Sequence, residues 1–345
     1  MKIGIAGFAG CGKSTVFHWL TGVAPDLSRS QQGQLGNPSV PDPRLDFLSS
    51  LFKPKKTTST RFEMLDTPGL HPTDRRDNPR RLAIMRDVSS LMVVLNGFGN
   101  DKLVDELRRF REELLFADLE IVTNRIDKVK DLLKKSRPAK QKELDQAELE
   151  LLQRVAGCLE KGEGAAAANL RPEEEKTIRS FQLLTLKPEL IFVNIAEDRI
   201  GTPLPDELLK AAPGAIQAPA KLEMELAELS SEDREAFMKD MNLSGFSRDE
   251  TLRKIFTGMG QIVFFTVGED ECRSWAIPKG ATAPQGAGQI HTDLERGFVR
   301  AEVVHYEDFT KYGSMKEAKL HGVYRLEGKT YIVHDGDIMH ILAST

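Results

Sequence analysis

The segment Gly7-Phe8-Ala9-Gly10-Cys11-Gly12-Lys13-Ser14-Thr15 fits G-x-x-x-x-G-K-[ST] and constrains the fold more than any other part of the chain. It follows a short apolar run, Ile3 to Ala6, and opens a helical pattern, Ser14 to Thr21, so it sits where a strand turns into a helix. Such a loop works when a curl of backbone N–H groups and a helix N-terminus face the same anion, which requires a parallel sheet with helices packed on it. Gly7, Ala9, Gly10, Cys11 and Gly12 form the curl, Lys13 supplies a point charge for the β- and γ-phosphates, and Ser14, with Thr15 beside it, places a hydroxyl to ligate Mg2+. A nucleoside triphosphate with Mg2+ is the expected ligand.

Two further motifs stand at strand ends. Arg61 to Leu65 reads as a strand and runs into Asp66-Thr67-Pro68-Gly69, a D-x-x-G that offers a carboxylate on the Mg2+ side and a glycine amide for the γ-phosphate. Leu70 then stands where Ras-like proteins keep a water-orienting glutamine, and a leucine cannot orient water. His71 is either a substitute for it or an exposed loop histidine. The strand Leu190 to Ile195 ends in Asn194-Ile195-Ala196-Glu197, where GTPases carry Asn-Lys-x-Asp. Losing the two hydrogen bonds from guanine to that aspartate removes about 3–6 kcal/mol of guanine preference, so adenine becomes competitive and Asn194 is left to offer its amide to a purine edge.

The surrounding pattern is α/β. Leu91 to Asn96 reads as a buried strand, Ala215 to Ala218 as a short one, and Gly22 to Pro43 as a mobile loop. From Lys102 to Leu133 there is neither proline nor glycine, and Leu119, Val122, Ile126, Val129 and Leu133 share one helical seam. A second helix running to Glu160, with Leu144, Ala147, Leu151, Val155 and Leu159 near one face, completes an antiparallel hairpin inserted into the sheet domain. Helical patterns cover Lys221 to Asp240 and Arg248 to Thr257; β-rich segments follow at Ile262 to Val267, Phe298 to Val304 and Thr330 to Val333. The expected organisation is a nucleotide-binding domain over residues 1–100 and 185–260, a helical hairpin over 101–184 and a small β domain over 261–345.

Charge and cysteine content narrow the partners. With 48 basic and 52 acidic residues the formal charge is −4, so no global positive field draws the chain to nucleic acid or anionic lipid. The local exception is the hairpin tip, where Lys128, Lys130, Lys134, Lys135, Arg137, Lys140 and Lys142 face Asp131 alone among acids. Cys11, Cys158 and Cys272 lack the spacing of a disulfide framework or a zinc site and point to a reducing, cytoplasmic compartment. Phe8-Ala9-Gly10-Cys11 faintly resembles a lipoprotein cleavage site, but the apolar stretch before it is short and broken by Gly4 and Gly7. No apolar run approaches the length of a membrane span.

Beyond these motifs, Pro41-Asp42-Pro43-Arg44-Leu45, Leu184-Thr185-Leu186-Lys187-Pro188 and the segment Trp275 to Phe309 resemble the Obg-related YchF family, the Obg-like ATPases. The densest matches are Lys279-Gly280-Ala281-Thr282-Ala283-Pro284-Gln285, Ile290-His291-Thr292-Asp293 and Gly297-Phe298-Val299-Arg300-Ala301-Glu302. The resemblance implies a TRAFAC-class P-loop G domain, an inserted helical hairpin and a C-terminal TGS domain of β-grasp type. It also implies an ATP-preferring switch with weak hydrolysis, bound to ribosomes and their RNA and tied to translation or stress. The family's N-x-x-E falls on Asn194 and Glu197, its hydrophobic replacement of glutamine on Leu70, and its last purine-contacting loop on Ala220, Lys221 and Leu222.

The chain departs from that pattern in three places. Only Ser30 stands near the position of the first-switch threonine, a glycine-rich stretch is replaced by Arg75-Arg76-Asp77-Asn78-Pro79-Arg80-Arg81, and the strand Leu91 to Asn96 has no histidine. These departures leave open a nucleotide-binding scaffold with negligible turnover, and a GTP-preferring enzyme survives if Glu197 reaches guanine.

Overall fold

The computed structural model describes residues 1–29, 31–98, 102–240 and 247–344. In chain order the elements begin with β1 (Lys2–Ala6), α1 (Lys13–Thr21), β2 (Gln34–Gly36), α2 (Pro43–Phe52), β3 (Lys56–Thr58), β4 (Glu63–Asp66), α3 (Asn78–Arg86) and β5 (Ser90–Gly97). The hairpin helices α4 (Leu103–Leu133) and α5 (Ala139–Glu160) follow, then α6 (Pro172–Ile178), β6 (Glu189–Ile195), α7 (Asp206–Ala211), β7 (Ile216–Ala218), α8 (Ala220–Ala227), α9 (Ser231–Asp240) and α10 (Arg248–Gly258). The last part comprises β8 (Gln261–Thr266), β9 (Glu271–Pro278), α11 (Ala283–Ile290), α12 (Thr292–Arg296), β10 (Phe298–His305), α13 (Tyr306–Tyr312), α14 (Met315–Leu320), β11 (Arg325–Glu327) and β12 (Asp337–Ala343).

The chain divides into two compact units, Met1–Gly36 with Glu63–Ser244, and Asn37–Phe62 with Gly245–Thr345. In the first, six strands run in the order β2-β4-β1-β5-β6-β7, all parallel except for the antiparallel β2–β4 edge. Leu91 through Leu95 are buried without alternation, because a parallel strand at the centre of such a sheet is covered on both faces. The Gly22–Pro43 stretch, read from sequence as a mobile loop, contains β2: Leu35 pairs with Leu65. Its glycines and prolines hide a three-residue strand too short for a period-two pattern to register.

The hairpin is built as the spacing of its first helix indicates. Val122, Ile126 and Val129 of α4 pack with Leu152, Val155 and Leu159 of α5, each buried apolar side chain contributing about 1.5–3 kcal/mol relative to exposure. The seam of α5 is offset from the sequence reading: Leu144 is 57% exposed, whereas Asp145 is buried and receives the Arg137 guanidinium at 2.6 Å. The sequence pattern places Leu144 near the same face as Leu151, but the ion pair at the tip takes that level of the helix instead. At the root, fully buried Asp118 accepts bonds from Arg86 Nη1 (2.8 Å), Leu184 N (3.0 Å), Thr185 N (2.8 Å) and Thr185 Oγ1 (2.8 Å). A carboxylate so enclosed is stable only when its oxygens are satisfied, which explains why Leu184-Thr185 follows the hairpin.

In the second unit the order is β11-β10-β12-β8-β9-β3. The β8–β9 hairpin, the crossing helix α11 and a β12 that lies parallel beside β8 make a β-grasp arrangement. Ile262, Phe264, Ile277, Phe298, Val303 and Met339 fill its core. Residues 37–62 belong to this unit and not to the nucleotide-binding fold: β3 pairs in parallel with β9, and Thr60 bonds to Ser274 through both its N and its Oγ1 at 2.8 Å. The expected strand Thr330 to Val333 is reduced to an isolated bridge between Thr282 and Ile332, and the closing strand is β12. The Lys221 to Asp240 pattern divides into α8 and α9.

Candidate nucleotide site

The phosphate-loop motif, D-x-x-G and N-x-x-E all lie at the carboxyl ends of β1, β4 and β6, where open parallel sheets bind ligands. The loop after β1 needs its glycines for specific reasons. Gly12 has φ +88°, and a Cβ there would stand 2.2 Å from Asn194 Nδ2; Gly7 has φ +141°, and a Cβ would meet Val94 O at 2.5 Å. Helix α1 therefore starts on a left-handed glycine with no side-chain cap, leaving its first N–H groups to an anion.

Lys13 is buried and donates from Nζ to Phe8 O at 2.7 Å, with Cys11 Sγ 3.8 Å away. Ser14 Oγ donates to Asp66 Oδ2 at 2.6 Å, while Asp66 Oδ1 is buried with no hydrogen-bond partner. Burial pushes the Asp66 carboxyl above its ordinary range, opposed by the Ser14 bond and the Lys13 charge. A buried acceptor facing nothing, next to a serine hydroxyl, is a donor set suited to a hard divalent cation completed by water and phosphate oxygens. Among the described residues no group of three or more His, Cys, Asp or Glu could hold a metal by itself. Cys11 is buried, and burial pushes its thiol up, so its contribution to the curl is backbone.

The D-x-x-G segment lies directly on this loop. A Cβ on Gly69 would stand 2.6 Å from Lys13 Nζ and 2.8 Å from Ala9 Cα. Ala9 N donates to Leu70 O at 2.8 Å, Leu70 N donates to Gly7 O at 3.1 Å, and the Leu70 side chain is fully buried. His71 is half-buried, its N donating to Asn78 Oδ1 and its O accepting from Asn78 Nδ2, both at 3.0 Å. Asn78 also reaches Glu113 of α4 at 3.3 Å, and Phe110 of the same helix packs edge-on against Phe8 at 5.7 Å. The sequence reading gave Asn78 and Arg81 no role beyond their place in the arginine-rich stretch and did not single out Glu113 of α4, since all three look solvated in sequence.

At the other end of the loop, Asn194 is buried, donates to Cys11 O at 3.3 Å and accepts from Ala220 N at 3.3 Å. Its amide thus joins the phosphate loop to the segment after β7, a use the sequence reading, which gave it to a purine edge, did not foresee. Glu197 is exposed and opens a 3-10 turn. Lys221 is exposed with Glu225 at 3.8 Å, and Leu222 is buried in the core, so Ala220 contributes backbone while Leu222 faces inward. Thr15 is half-buried and Gly10 is exposed. Ser30 lies outside the described residues. A cavity of about 250 Å3 beside the loop is lined by Phe8, Ala9, Cys11, Asn96, Glu106 and Arg109, among others.

Comparison with known proteins agrees with this geometry. A family model described as YchF-GTPase_C, "Protein of unknown function (DUF933)", matches residues 261–344. The chain is 34% identical to "Ribosome-binding ATPase YchF" of Bacillus subtilis (strain 168) over 365 aligned positions, covering 99% of this chain and 98% of the relative. It is likewise 34% identical to the protein of the same name from Escherichia coli O157:H7, over 99% of this chain and 98% of that one. The solved "Structure of the Schizosaccharomyces pombe YchF GTPase" superposes with a TM-score of 0.82 at 26% identity, covering 99% of this chain and 97% of the other. With a P-loop fold, an inserted helical hairpin, a β-grasp unit and full-length relatives of this similarity, the chain belongs to the YchF family.

Proposed function

We propose that this protein is an Mg2+-dependent, ATP-preferring P-loop NTPase with slow turnover, acting in the cytoplasm as a nucleotide-controlled switch on ribosomes. The observation that carries the reading is the Ser14–Asp66 pair with its unpartnered Oδ1 beside Lys13. Ser14 and Asp66 would hold Mg2+, which when bound neutralises charge on the β- and γ-phosphates. Lys13 exchanges its bond to Phe8 O for phosphate oxygens, and the amides from Ala9 to Thr15 cradle them. Gly69 offers its amide to the terminal phosphate, which requires the Ala9–Leu70 bond to open. Because Leu70 is buried, no side chain at its position orients water, and turnover is slow; half-buried His71 is the remaining candidate for that role.

Preference for adenine follows from Ile195 and Glu197 in place of the guanine-specific lysine and aspartate, with Asn194 occupied in joining the loops. Equilibrium binding of ATP and GTP to one preparation, with and without Mg2+, tests this: tighter ATP binding that weakens without Mg2+ is expected. GTP binding ten times tighter than ATP would overturn it.

The relatives' names support a ribosomal partner. We assign contact with ribosomal RNA to the tip from Lys128 to Lys142, and a secondary contact to the TGS-type β-grasp unit. Lys128, Lys130, Lys134, Lys135, Lys140 and Lys142 are exposed, although Lys134 pairs with Asp131 at 2.8 Å, whereas Arg137 is tied to Asp145 and serves the tip's own structure. Replacing Lys135, Lys140 and Lys142 with Glu is expected to weaken ribosome co-sedimentation and flatten its salt dependence while leaving ATP affinity unchanged. Unaltered sedimentation across a salt series would move the contact to the β-grasp unit.

A further inference from the structure

Arg81, on α3, is a buried cation with too few partners. Its side chain is 9% exposed, Nη1 donates to Gly69 O at 3.0 Å, Nε is buried without a partner, and the nearest carboxylate, Asp77, is 3.9 Å away and itself 74% exposed. Glu113, the buried acid nearby in the same cluster, is taken by Arg75 at 2.8 Å and Asn78 at 3.3 Å. Taking a guanidinium out of water costs several kcal/mol unless its donors are matched, so this arrangement is poor as a stability device. The group that matches a planar fork of donors best is a phosphate or carboxylate.

Gly69 connects Arg81 to the phosphate loop. Its carbonyl is held by Arg81, while its Cα faces Lys13 so closely that a Cβ would stand 2.6 Å from Nζ. Both cations therefore border one glycine, and the Asn78 clamp on His71 ties this peptide to α3, the helix that carries Arg81. The sequence sets Arg81 in the arginine-rich stretch Arg75 to Arg81, the same stretch that departs from the family's glycine-rich pattern.

We propose that Arg81 reads the terminal phosphate: it holds the Gly69 peptide while the loop is empty or carries a diphosphate, and turns to the γ-phosphate of a bound triphosphate. Arg81 then supplies in cis a positive charge at the γ-phosphate, a different role from the water-orienting one that buried Leu70 leaves empty, and it sets the preference for triphosphate over diphosphate. This rests on the nucleotide reading above but not on the choice of base, because it concerns a ratio measured within one base.

The test uses the full chain with Mg2+ and compares the parent with Arg81→Met and Arg81→Lys, titrating ADP and a non-hydrolysable ATP analogue, with thermal unfolding recorded without nucleotide. In Arg81→Met, ADP affinity is expected to stay within about twofold and the ATP analogue to weaken by about tenfold or more, the loss of one charge-assisted contact. Its unfolding temperature is expected at or above the parent's, since an under-partnered buried charge is gone. Arg81→Lys should recover part of the ratio. An unchanged triphosphate-to-diphosphate ratio in Arg81→Met, or an equal fall in both affinities together with a lower unfolding temperature, would overturn the inference. A parent that prefers guanine overturns the adenine assignment alone, because the same ratio is then read between a GTP analogue and GDP.

Discussion

The phosphate half and the base half of the candidate site are built on different principles. Around the phosphate loop, the proposed recognition rests on backbone and on fixed geometry: glycines at φ +141° and +88°, a buried lysine, and a serine on an aspartate. In the proposed base half, Asn194 has its amide engaged at both ends in joining the loops, and Glu197 is exposed. The first half has little freedom in residue type, because a Cβ at Gly7 or Gly12 would clash and the phosphates and Mg2+ demand a cation, a hydroxyl and a carboxylate at the other positions. The second can change specificity by one methylene. The difference teaches that triphosphate binding is protected by geometry, while base preference is adjustable at low structural cost.

Breaking the phosphate half is expected to have the largest effect. Gly12→Ala places a methyl group 2.2 Å from Asn194 Nδ2 in a left-handed backbone position, so it damages both halves at once. Binding of ATP and GTP should fall together by at least about a hundredfold, equivalent to roughly 3 kcal/mol, in an equilibrium titration. Lys13→Ala should produce a similar loss without a fall in unfolding temperature, since among the described residues Lys13 Nζ donates to Phe8 O and Cys11 Sγ of its own loop. Selective loss of one nucleotide in either variant would contradict the separation of the halves.

Asn194→Ala cuts the link between them. Two bonds of a buried amide disappear, leaving Ala220 N and Cys11 O without that partner, at a cost of about 1–3 kcal/mol each where burial leaves them unsatisfied. Chemical denaturation should register this loss, and nucleotide affinity should fall for adenine and guanine alike. If ATP affinity fell while GTP affinity held, Asn194 would be reading the base directly and the amide bridge would be incidental.

These distinctions explain what was legible in the sequence. Gly7, Gly12, Lys13, Ser14 and Asp66 could be read because each is required by backbone geometry or phosphate chemistry at fixed spacing. The α4 seam could be read because Val122, Ile126 and Val129 recur at helical spacing, whereas Leu144 misled because buried Asp145 is satisfied by an arginine eight residues earlier. Asn78, Arg81 and Glu113 stayed hidden for the same reason: polar side chains look solvated until the fold supplies their partners. Assignment of residues 37–62 to the β-grasp unit was also beyond sequence, since pairing of β3 with β9 joins residues more than 200 positions apart.

A smaller change sharpens the base half. Glu197→Asp restores the shorter carboxylate at an exposed position, so it should raise GTP affinity relative to ATP by a few-fold, about 1 kcal/mol or less, without altering stability. Competition between labelled ATP and unlabelled GTP reads the ratio directly. An unchanged ratio would place base choice in the backbone around Ala220 instead.

The smallest effect is expected at Glu223, three residues after Ala220 on α8. This carboxyl is buried, its Oε2 lacks a hydrogen bond, and the Arg234 guanidinium stands 3.5 Å away; burial outweighs that charge and pushes the carboxyl up to about 7. A raised carboxyl pKa means that the folded chain holds this proton more tightly than the unfolded chain does. Between the ordinary value of 4.5 and about 7 the folded state therefore binds more protons, so this residue's contribution to stability falls as pH rises through that window and is level above it. Glu223→Gln removes the titration and leaves a neutral side chain of similar shape. Its unfolding temperature should match the parent's near pH 5 and exceed it by about 2 °C at pH 8, with ATP affinity the same in both proteins. Parallel pH profiles for the two proteins would show that Arg234 keeps Glu223 ionised throughout, and a fall in ATP affinity would make α8 part of the base half and not merely its support.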